Sequence, residues 1–559
     1  MTAKASLPKT ELVFVPLGGT GEIGMNLNLY GLGPAGAERW LMVDLGVTFG
    51  GGDQPGVDVI TPDPTFIAER RDALEGLVIT HAHEDHLGAV PYLWERLRCP
   101  VYATPFTASI LRRKLREVDL EGEVPLTEVA LGARFSVGPF DLEFITVTHS
   151  IPEPNAVAIR TPVGTVLHTG DWKFDPGPVL GPTADEEALG RLGDEGVLAM
   201  VCDSTNALEP GTSGSEADLL PRLGELIGRA KGRVAVACFA TNVARLETIA
   251  AAAAAQGRDV VLAGRSLKRV DKAARENGYL AEVPAFIDEN DAGYLPADKM
   301  VLICTGSQGE SRAALSRIAA GDHPNIALGE GDTVIFSSRV IPGNEVAIAG
   351  VQNALTRRGV EMVTWKDDLV HVSGHPARDE LARMYALARP RIAVPVHGEA
   401  RHLVAHAELA RQCQVAEAVV AENGAVVRLA PGAAGIIDHV PVGRLYVDGK
   451  RLLPADGAVV RQRARALHGG AAVVTVVLDD VGLAAEPELT TIGLLDGADG
   501  DGATEETVRN AIRREIDGMA ARLQRDDDAV REAVRLAARR VFRESLGKKP
   551  VTTVHLVRV

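Results

Sequence analysis

The sequence predicts a multidomain α/β protein, on three observations. Its 559 residues exceed what one hydrophobic core holds, so two or three domains are expected. Up to about residue 200 short apolar runs alternate with turns, and from about residue 215 helical and strand patterns alternate with each other. After residue 469 a strand, two helices and a final strand read as a small unit of their own.

The early strands are "ELVFVPLGG", "RWLMVDLG", "GLVIT", "PVYAT", "FDLEFITVTHS", "TVLHTGDW" and "VLAMVCDST", punctuated by Gly, Pro and Asp. Then "EADLLPRLGELIGRA" reads as helix and "RVAVACFA" as strand. "NVARLETIAAAAAAQG" is helix stopped by Gly257, and "DVVLAG", "KMVLICTGS" and "DTVIFSS" are strands of a parallel α/β unit. Residues 371–430 return to strands and histidines, with "RIAVPVHGEA" the clearest piece. In the last unit the strand "AAVVTVVLDD" leads to a polar loop, "LLDGADGDGA", and a helix starting near Thr504 with Glu505 and Glu506. A second helix, from about Asp528 to Leu546, carries Val530, Val534, Ala537 and Val541 on one face and Gly547 past its end, before the closing strand "VTTVHLVRV".

Composition bounds the function. Hydrophobic content of 46% and charged content of 24% are ordinary for a globular protein, and no apolar run is long enough to span a bilayer. The five cysteines (Cys99, Cys202, Cys238, Cys304, Cys413) are odd in number and scattered, which predicts free thiols in a reducing cytoplasm. The first residues lack a signal-peptide pattern. A formal charge of −16 argues against indiscriminate polyanion binding, but leaves room for a nucleic-acid enzyme with a local basic channel and bound cations. The densest basic run, "LRRKLRE", reads as a solvated helix face.

The segment "THAHEDH" places three of the chain's 14 histidines and two acids within six positions, directly after an apolar strand. Such a cluster is costly to desolvate unless a cation compensates it. Alternation of an extended chain lets His81, His83 and Asp85 converge, while His86 falls where the chain starts to coil, so the cluster can feed two cations. His149, Asp171 and His397 each follow an apolar strand, where the remaining donors are expected. Imidazole with carboxylate favours zinc, with manganese or magnesium as alternatives. "LGGTGEIGMN" has neither G-x-G-x-x-G nor G-x-x-x-x-G-K spacing and reads as a tight turn bordering the site.

"THAHEDH", "VTHSIP", "HTGDWKFD" and "PVHGE" resemble the successive motifs of the metallo-β-lactamase superfamily. "VCDSTNA", "VHVSGHP" and "PVHGE" resemble the additional motifs of its nucleic-acid-processing β-CASP branch. "PLGGTGEIGMN", "CFATNVAR", "TGSQGE", "SSRVIPGNE" and "GKKPVTTVHLVRV" resemble the bacterial ribonuclease J family, over almost the whole chain. The resemblance implies an αββα metallo-β-lactamase sandwich from residues 1–210 and 369–450, an inserted α/β β-CASP domain at 211–368, a linker at 451–468 and a small α/β domain at 469–559. It implies one zinc on His81, His83 and His149, a second on Asp85, His86 and His397, and Asp171 bridging both.

The activity so implied is hydrolysis of RNA phosphodiesters, 5′-to-3′ from monophosphorylated ends and with some internal cleavage, in RNA maturation and decay. Two cations about 3.5–4 Å apart share a hydroxide and clamp the oxygens of an in-line displacement. Asp85 counts with the catalytic groups. His375, oriented by Asp203, would protonate the leaving 3′ oxygen; the alternative leaves His375 binding phosphate while a water supplies the proton. His371, Val372, Ser373, Gly374 and His375 would form a pocket for the terminal phosphate, with Gly374 letting backbone amides approach the anion. Ala240, Thr241 and Asn242 would help hold the nucleotide; Thr241 stands where the family usually has serine. Ser338 and Arg339 are weaker candidates. "SQGESR" replaces the family's "SQGEPM" without touching a ligand.

Further implied are homodimers or homotetramers, RNA-decay partner proteins and no membrane. A structural calcium, which would involve Asp58 and Asp448, is disfavoured because "VDGKRLLPADG" departs from the glycine-rich form of relatives. Two other readings compete. A hydrolase of DNA, or of a small ester or lactam, is opposed by His397 at the third β-CASP motif and by the insertion with "SGHP". A catalytically silent RNA-binding scaffold is opposed by the complete ligand set.

Overall fold

The structure, a computed structural model, describes residues 10–51, 54, 56–341, 343–495 and 501–559. The extreme N-terminus read for a leader (residues 1–9) and the centre of the polar loop (496–500) lie outside the described residues. The chain divides into two compact units, Met1–Thr48 with Thr61–Gly443, and Phe49–Ile60 with Arg444–Val559.

In the first unit an eight-stranded and a seven-stranded sheet share one core. Phe14, Tyr30, Leu41, Val43 and Val78 come from one sheet, and Leu142, Phe144, Val157, Val201 and Val394 from the other. Helices cover the outer faces: Leu189, Leu192, Leu381, Met384, Tyr385 and Leu409 pack on the seven-stranded sheet. This is the αββα sandwich, and both sheets are buried on two sides, which explains the near-continuous apolar runs. Within the seven-stranded sheet, Gly164–His168, Ala199–Asp203 and Ile392–Val396 are parallel neighbours, with Val201 opposite both His168 and Val394. In the other sheet, Arg39–Val43 and Leu74–Val78 are parallel with Val43 opposite Val78. Parallel register therefore delivers the residues after five strands to the same kind of place, the carboxyl ends, where α/β sheets build sites.

The inserted domain is a six-stranded parallel sheet in the order Ile287–Asp288, Asp259–Ala263, Met300–Cys304, Val234–Ala237, Thr333–Phe336, Glu361–Val363, with an apolar cluster on each face. Arg245, wholly buried, ties its interior together. Its guanidinium donates to Glu216, to the Ser337 carbonyl and hydroxyl, and to the Val370 carbonyl. The basic run lies on the helix Pro105–Glu117, and its cations are paired: Arg112 with Glu128, Arg113 with Glu276, Lys114 with Glu84, Arg116 with Glu121.

The second unit has a three-stranded sheet with Ala471–Leu478 between Glu488–Ile492 and Val551–Arg558. Ala472, Val474, Val476 and Leu478 alternate inward against Val530, Val534, Ala537, Ala538, Val541 and Phe542 of the helix Asp527–Leu546. Asp526 caps that helix and Gly547, at φ 67°, ends it. The helix expected near Thr504 is present, described over Asp501–Asp517. Residues 451–468, expected as a linker, hold the strand Arg451–Pro454 and most of the helix Ala458–Gly469, whose Ala, Arg, Gln and Leu are strong helix formers.

Candidate metal centre

Extended chain after Leu74–Val78 sends His81 and His83 inward, and the helix Glu84–Leu87, capped by His83, turns His86 toward the same space. Asp85 lies on the same short helix, and His149, Asp171 and His397 arrive on the loops that follow strands of the seven-stranded sheet. The seven predicted ligands meet in two groups that share Asp171: His81, His83, His149 and Asp171, and Asp85, His86, His397 and Asp171.

In the first group His83 Nδ1 lies 3.0 Å from the Nε2 atoms of both His81 and His149. Asp171 Oδ2 is 3.8 Å from each of those Nε2 atoms. In the second, His86 Nε2 is 3.2 Å from Asp171 Oδ2 and 3.6 Å from Asp85 Oδ2. His397 Nε2 is 3.5 and 3.7 Å from the same two oxygens. Donors held at about 2.0–2.1 Å around a tetrahedral cation are spaced by about 3.3 Å, so the separations fit a metal in each group.

The outer atoms of the rings explain their orientation. Thr80 donates its hydroxyl to Asp44 Oδ2, 2.9 Å away, leaving its oxygen lone pair for His81 Nδ1–H at 3.0 Å. His86 Nδ1 donates to Asp44 Oδ2 (2.7 Å), and His149 Nδ1 to the Gly374 carbonyl (2.6 Å). His397 Nδ1 lies against the Asn26 amide. With Nδ1 committed to these outer acceptors, the rings of His86 and His149 aim Nε2 into the cluster, toward Asp171 and Asp85 and toward His83, an arrangement that a cation satisfies.

The electrostatics agree. Burial pushes His81 and His149 well below the ordinary imidazole value and His83 down to about 4, which keeps them in the neutral, donor form. Burial works the same way on His86, but the carboxylates of Asp171, Asp85 and Asp44 outweigh it and raise that ring well above the ordinary value. The second group thus calls for positive charge.

His375 stands beside the ligands, its ring 5.0 Å from that of His149 and 5.6 Å from that of His397. Its Nδ1 is 2.8 Å from Asp203 Oδ2, and Asp203 Oδ1 accepts from Thr205 N and Oγ1. Burial opposes the charged ring, but Asp203 and then Asp171 and Asp85 lift His375 to about 9. Asp85 and His375 have side chains 29% and 22% exposed, against 3% or less for the Asp171, His86 and His397 side chains, so they line the opening.

Of the expected pocket, Ser373 Oγ accepts from the Asn206 amide (2.8 Å) and the His375 N–H (3.2 Å). His371 Nδ1 is buried with no hydrogen-bond partner among the described residues. Val372 points into the core of the inserted domain. Asn242 caps the helix Val243–Ala255 through Oδ1 and donates to Glu216, whereas Ala240 and Thr241 are half-buried beside it. Asp448 does not suit a calcium: Arg463 donates to both its oxygens (2.8 and 2.9 Å) and Arg451 to one (2.7 Å). Asp44 and Asn26, which no sequence motif singled out, are the residues that hydrogen-bond the outer atoms of His86 and His397. Asp44 ends the apolar run "RWLMVD", the same signal that singles out Asp171.

Four family models match the chain: a beta-lactamase superfamily domain at residues 50–190, the ribonuclease J beta-CASP domain at 231–355, a Zn-dependent metallo-hydrolase RNA specificity domain at 360–421 and the ribonuclease J C-terminal domain at 458–559. The ribonuclease J of Sinorhizobium meliloti is 48% identical, with 98% of each chain covered. That of Mycolicibacterium smegmatis is 42% identical over 97% of this chain and 96% of its own. A crystal structure of a protein of unknown function from Enterococcus faecalis V583 shares the fold at a TM-score of 0.50 and 16% identity, covering 75% of this chain and all of the other. The chain belongs to the ribonuclease J family, and it is a metal-dependent ribonuclease of the metallo-β-lactamase, β-CASP type.

Proposed function

We propose that the chain is a two-zinc ribonuclease that removes nucleotides from monophosphorylated 5′ ends, with internal cleavage as a second activity, in RNA maturation and decay. The observation that carries the reading is the loop 370–375. At one end its Gly374 carbonyl holds His149, and at the other His371 has a buried nitrogen with no hydrogen-bond partner among the described residues, two positions before Ser373. One strand of backbone thus joins the metal ligands to a candidate anion pocket, the arrangement an exonuclease needs to count one nucleotide from an end.

Cations held by His81, His83, His149 and Asp171 and by Asp85, His86, His397 and Asp171 would activate water near neutral pH and neutralise charge at phosphorus. The chain does the rest. Asp203, itself fixed by Thr205, takes the Nδ1 proton of His375 in a hydrogen bond and so aims Nε2 into the opening, where it donates to the departing 3′ oxygen. Asp85 keeps a half-open carboxylate at the same mouth. Ser373 and His371 receive the terminal phosphate, and Ala240 and Thr241 flank the nucleotide. We place the domain borders at residues 210, 368, 450 and 468, and the family reading carries a cytoplasmic dimer or tetramer.

The test is an RNA labelled at its 3′ end and carrying a monophosphate, triphosphate or hydroxyl at its 5′ end, combined with metal analysis. The reading expects two zinc ions per chain and progressive shortening of the monophosphorylated RNA alone. Equal rates on all three ends would overturn the pocket, and one metal per chain would overturn the paired centre.

A further inference from the structure

Three of the four tryptophans are buried, Trp40 at 3%, Trp94 at 7% and Trp172 at 0%, whereas Trp365 is 39% exposed. Its loop does not need the ring for support. Thr364 N and Oγ1 both donate to Asp367 Oδ2 (2.9 and 2.7 Å), and Asp368 is gripped by Arg222. The exposed indole therefore sits on ordered backbone.

Its neighbours say which ligand. The Arg339 guanidinium lies 5.5 Å and the Lys366 ammonium 5.7 Å from the ring centroid. Both distances are near the roughly 6 Å limit of a cation–π contact, so the ring is flanked and not sealed. In a chain of net charge −16, two cations stand beside this exposed ring, Arg339 shared with the Glu209 carboxylate and Lys366 next to Asp367, so a base laid on the indole would find guanidinium and ammonium donors at its edge. The spot is also wired to the catalytic loop. Arg339 donates to Glu209 (2.7 Å), the Glu209 N–H to the Asn206 carbonyl (2.9 Å), and the Asn206 amide to Ser373 Oγ (2.8 Å) and the His375 carbonyl (3.0 Å).

We propose that Trp365 is a stacking platform for one base of single-stranded RNA, with Arg339 and Lys366 meeting the adjoining phosphates. The assignment rests on RNA being the substrate, and not on the 5′-end preference.

Two measurements test it. In the first, 5′-monophosphorylated oligoribonucleotides carry a single abasic site at successive positions. The wild type shows KM raised roughly tenfold or more at one position, the scale of a lost base–aromatic stack. Trp365→Ala shows that rise on intact RNA, has no added penalty at that position and keeps kcat within a few-fold; Trp365→Phe recovers most of the loss. In the second, a phosphorothioate oligoribonucleotide protects the exposed indole from acrylamide quenching in the wild type and gives no such change in Trp365→Phe. An unchanged KM in Trp365→Ala, an abasic penalty that persists there, or no protection by bound oligonucleotide overturns the platform. The fluorescence measurement needs no cleavage, so a wild type that binds but does not shorten the RNA would overturn the exonuclease reading and leave the platform standing.

Discussion

His375 Nδ1 and Asp203 Oδ2 are 2.8 Å apart although 172 residues separate them in the chain. Asp203 is wholly buried as a side chain and its second oxygen is occupied by Thr205, so its one free direction is toward the imidazole. A proton donor positioned this way contributes about 10²-fold or more to rate. His375→Gln and Asp203→Asn are therefore expected to lower kcat by about that factor, with KM changed only a few-fold and metal content intact. Single-turnover kinetics with metal analysis checks it. Loss of metal in either variant would make the pair a ligand and not a proton donor.

Asp44 accepts from His86 Nδ1, Thr80 N and Thr80 Oγ1, and so fixes two of the residues that hold the cluster. Outer partners of this kind are worth about 10–100-fold in metal affinity. Asp44→Asn should weaken metal binding by that amount, read by competition with a chromophoric chelator, while excess metal restores most activity. Irreversible loss at saturating metal would assign Asp44 to folding instead.

A Cβ at Gly374 would stand 2.8 Å from His149 Cε1 and Nδ1 and from Ser150 Oγ. His149 cannot retreat easily, because it is tied to the Gly374 carbonyl and faces His83. Gly374→Ala is thus expected to push the loop off the ligand, lowering kcat/KM about tenfold or more with a thermal midpoint within a few degrees of the wild type. Wild-type kinetics in this variant would show that the loop has slack.

The seven candidate ligands could be picked out because metal chemistry uses few residue types and most of them follow apolar strands, and the fold brings them together in two groups. Asp44 carries the same signal in "RWLMVD", but its partners lie 36 and 42 residues on, and nothing local announces them. Gly374 was read as a glycine that lets backbone amides approach an anion; that its neighbour is His149, 225 residues away in the chain, follows only from the fold. The elements of the last unit were readable from period and caps. The helix within 458–469 was not, since it buries no side chain and leaves no apolar stripe to detect.

Glu143 sits between two strands and a helix, its side chain 6% exposed, and receives Arg160 (2.7 Å), Arg134 (3.1 Å) and Arg191 (2.6 Å). Burial disfavours its charge, but the three guanidinium groups prevail and hold the carboxyl below the ordinary glutamate value. A depressed folded-state value gives stability that is complete above the unfolded value, about 4.3, and is lost as pH falls through the folded one. Glu143→Gln should cost about 1–3 kcal/mol at pH 7, as for a lost charged hydrogen-bond network, and lower the first unit's thermal midpoint by roughly 2–8 °C. The gap between wild type and variant should stay constant from pH 7 to 5 and close below about pH 4 as the wild-type carboxyl is protonated. Calorimetric scans of both proteins at falling pH decide it: a gap that shows no narrowing at any pH below about 4.3, where the unfolded carboxyl takes up its proton, would mean that Glu143 acts through packing and not through its charge.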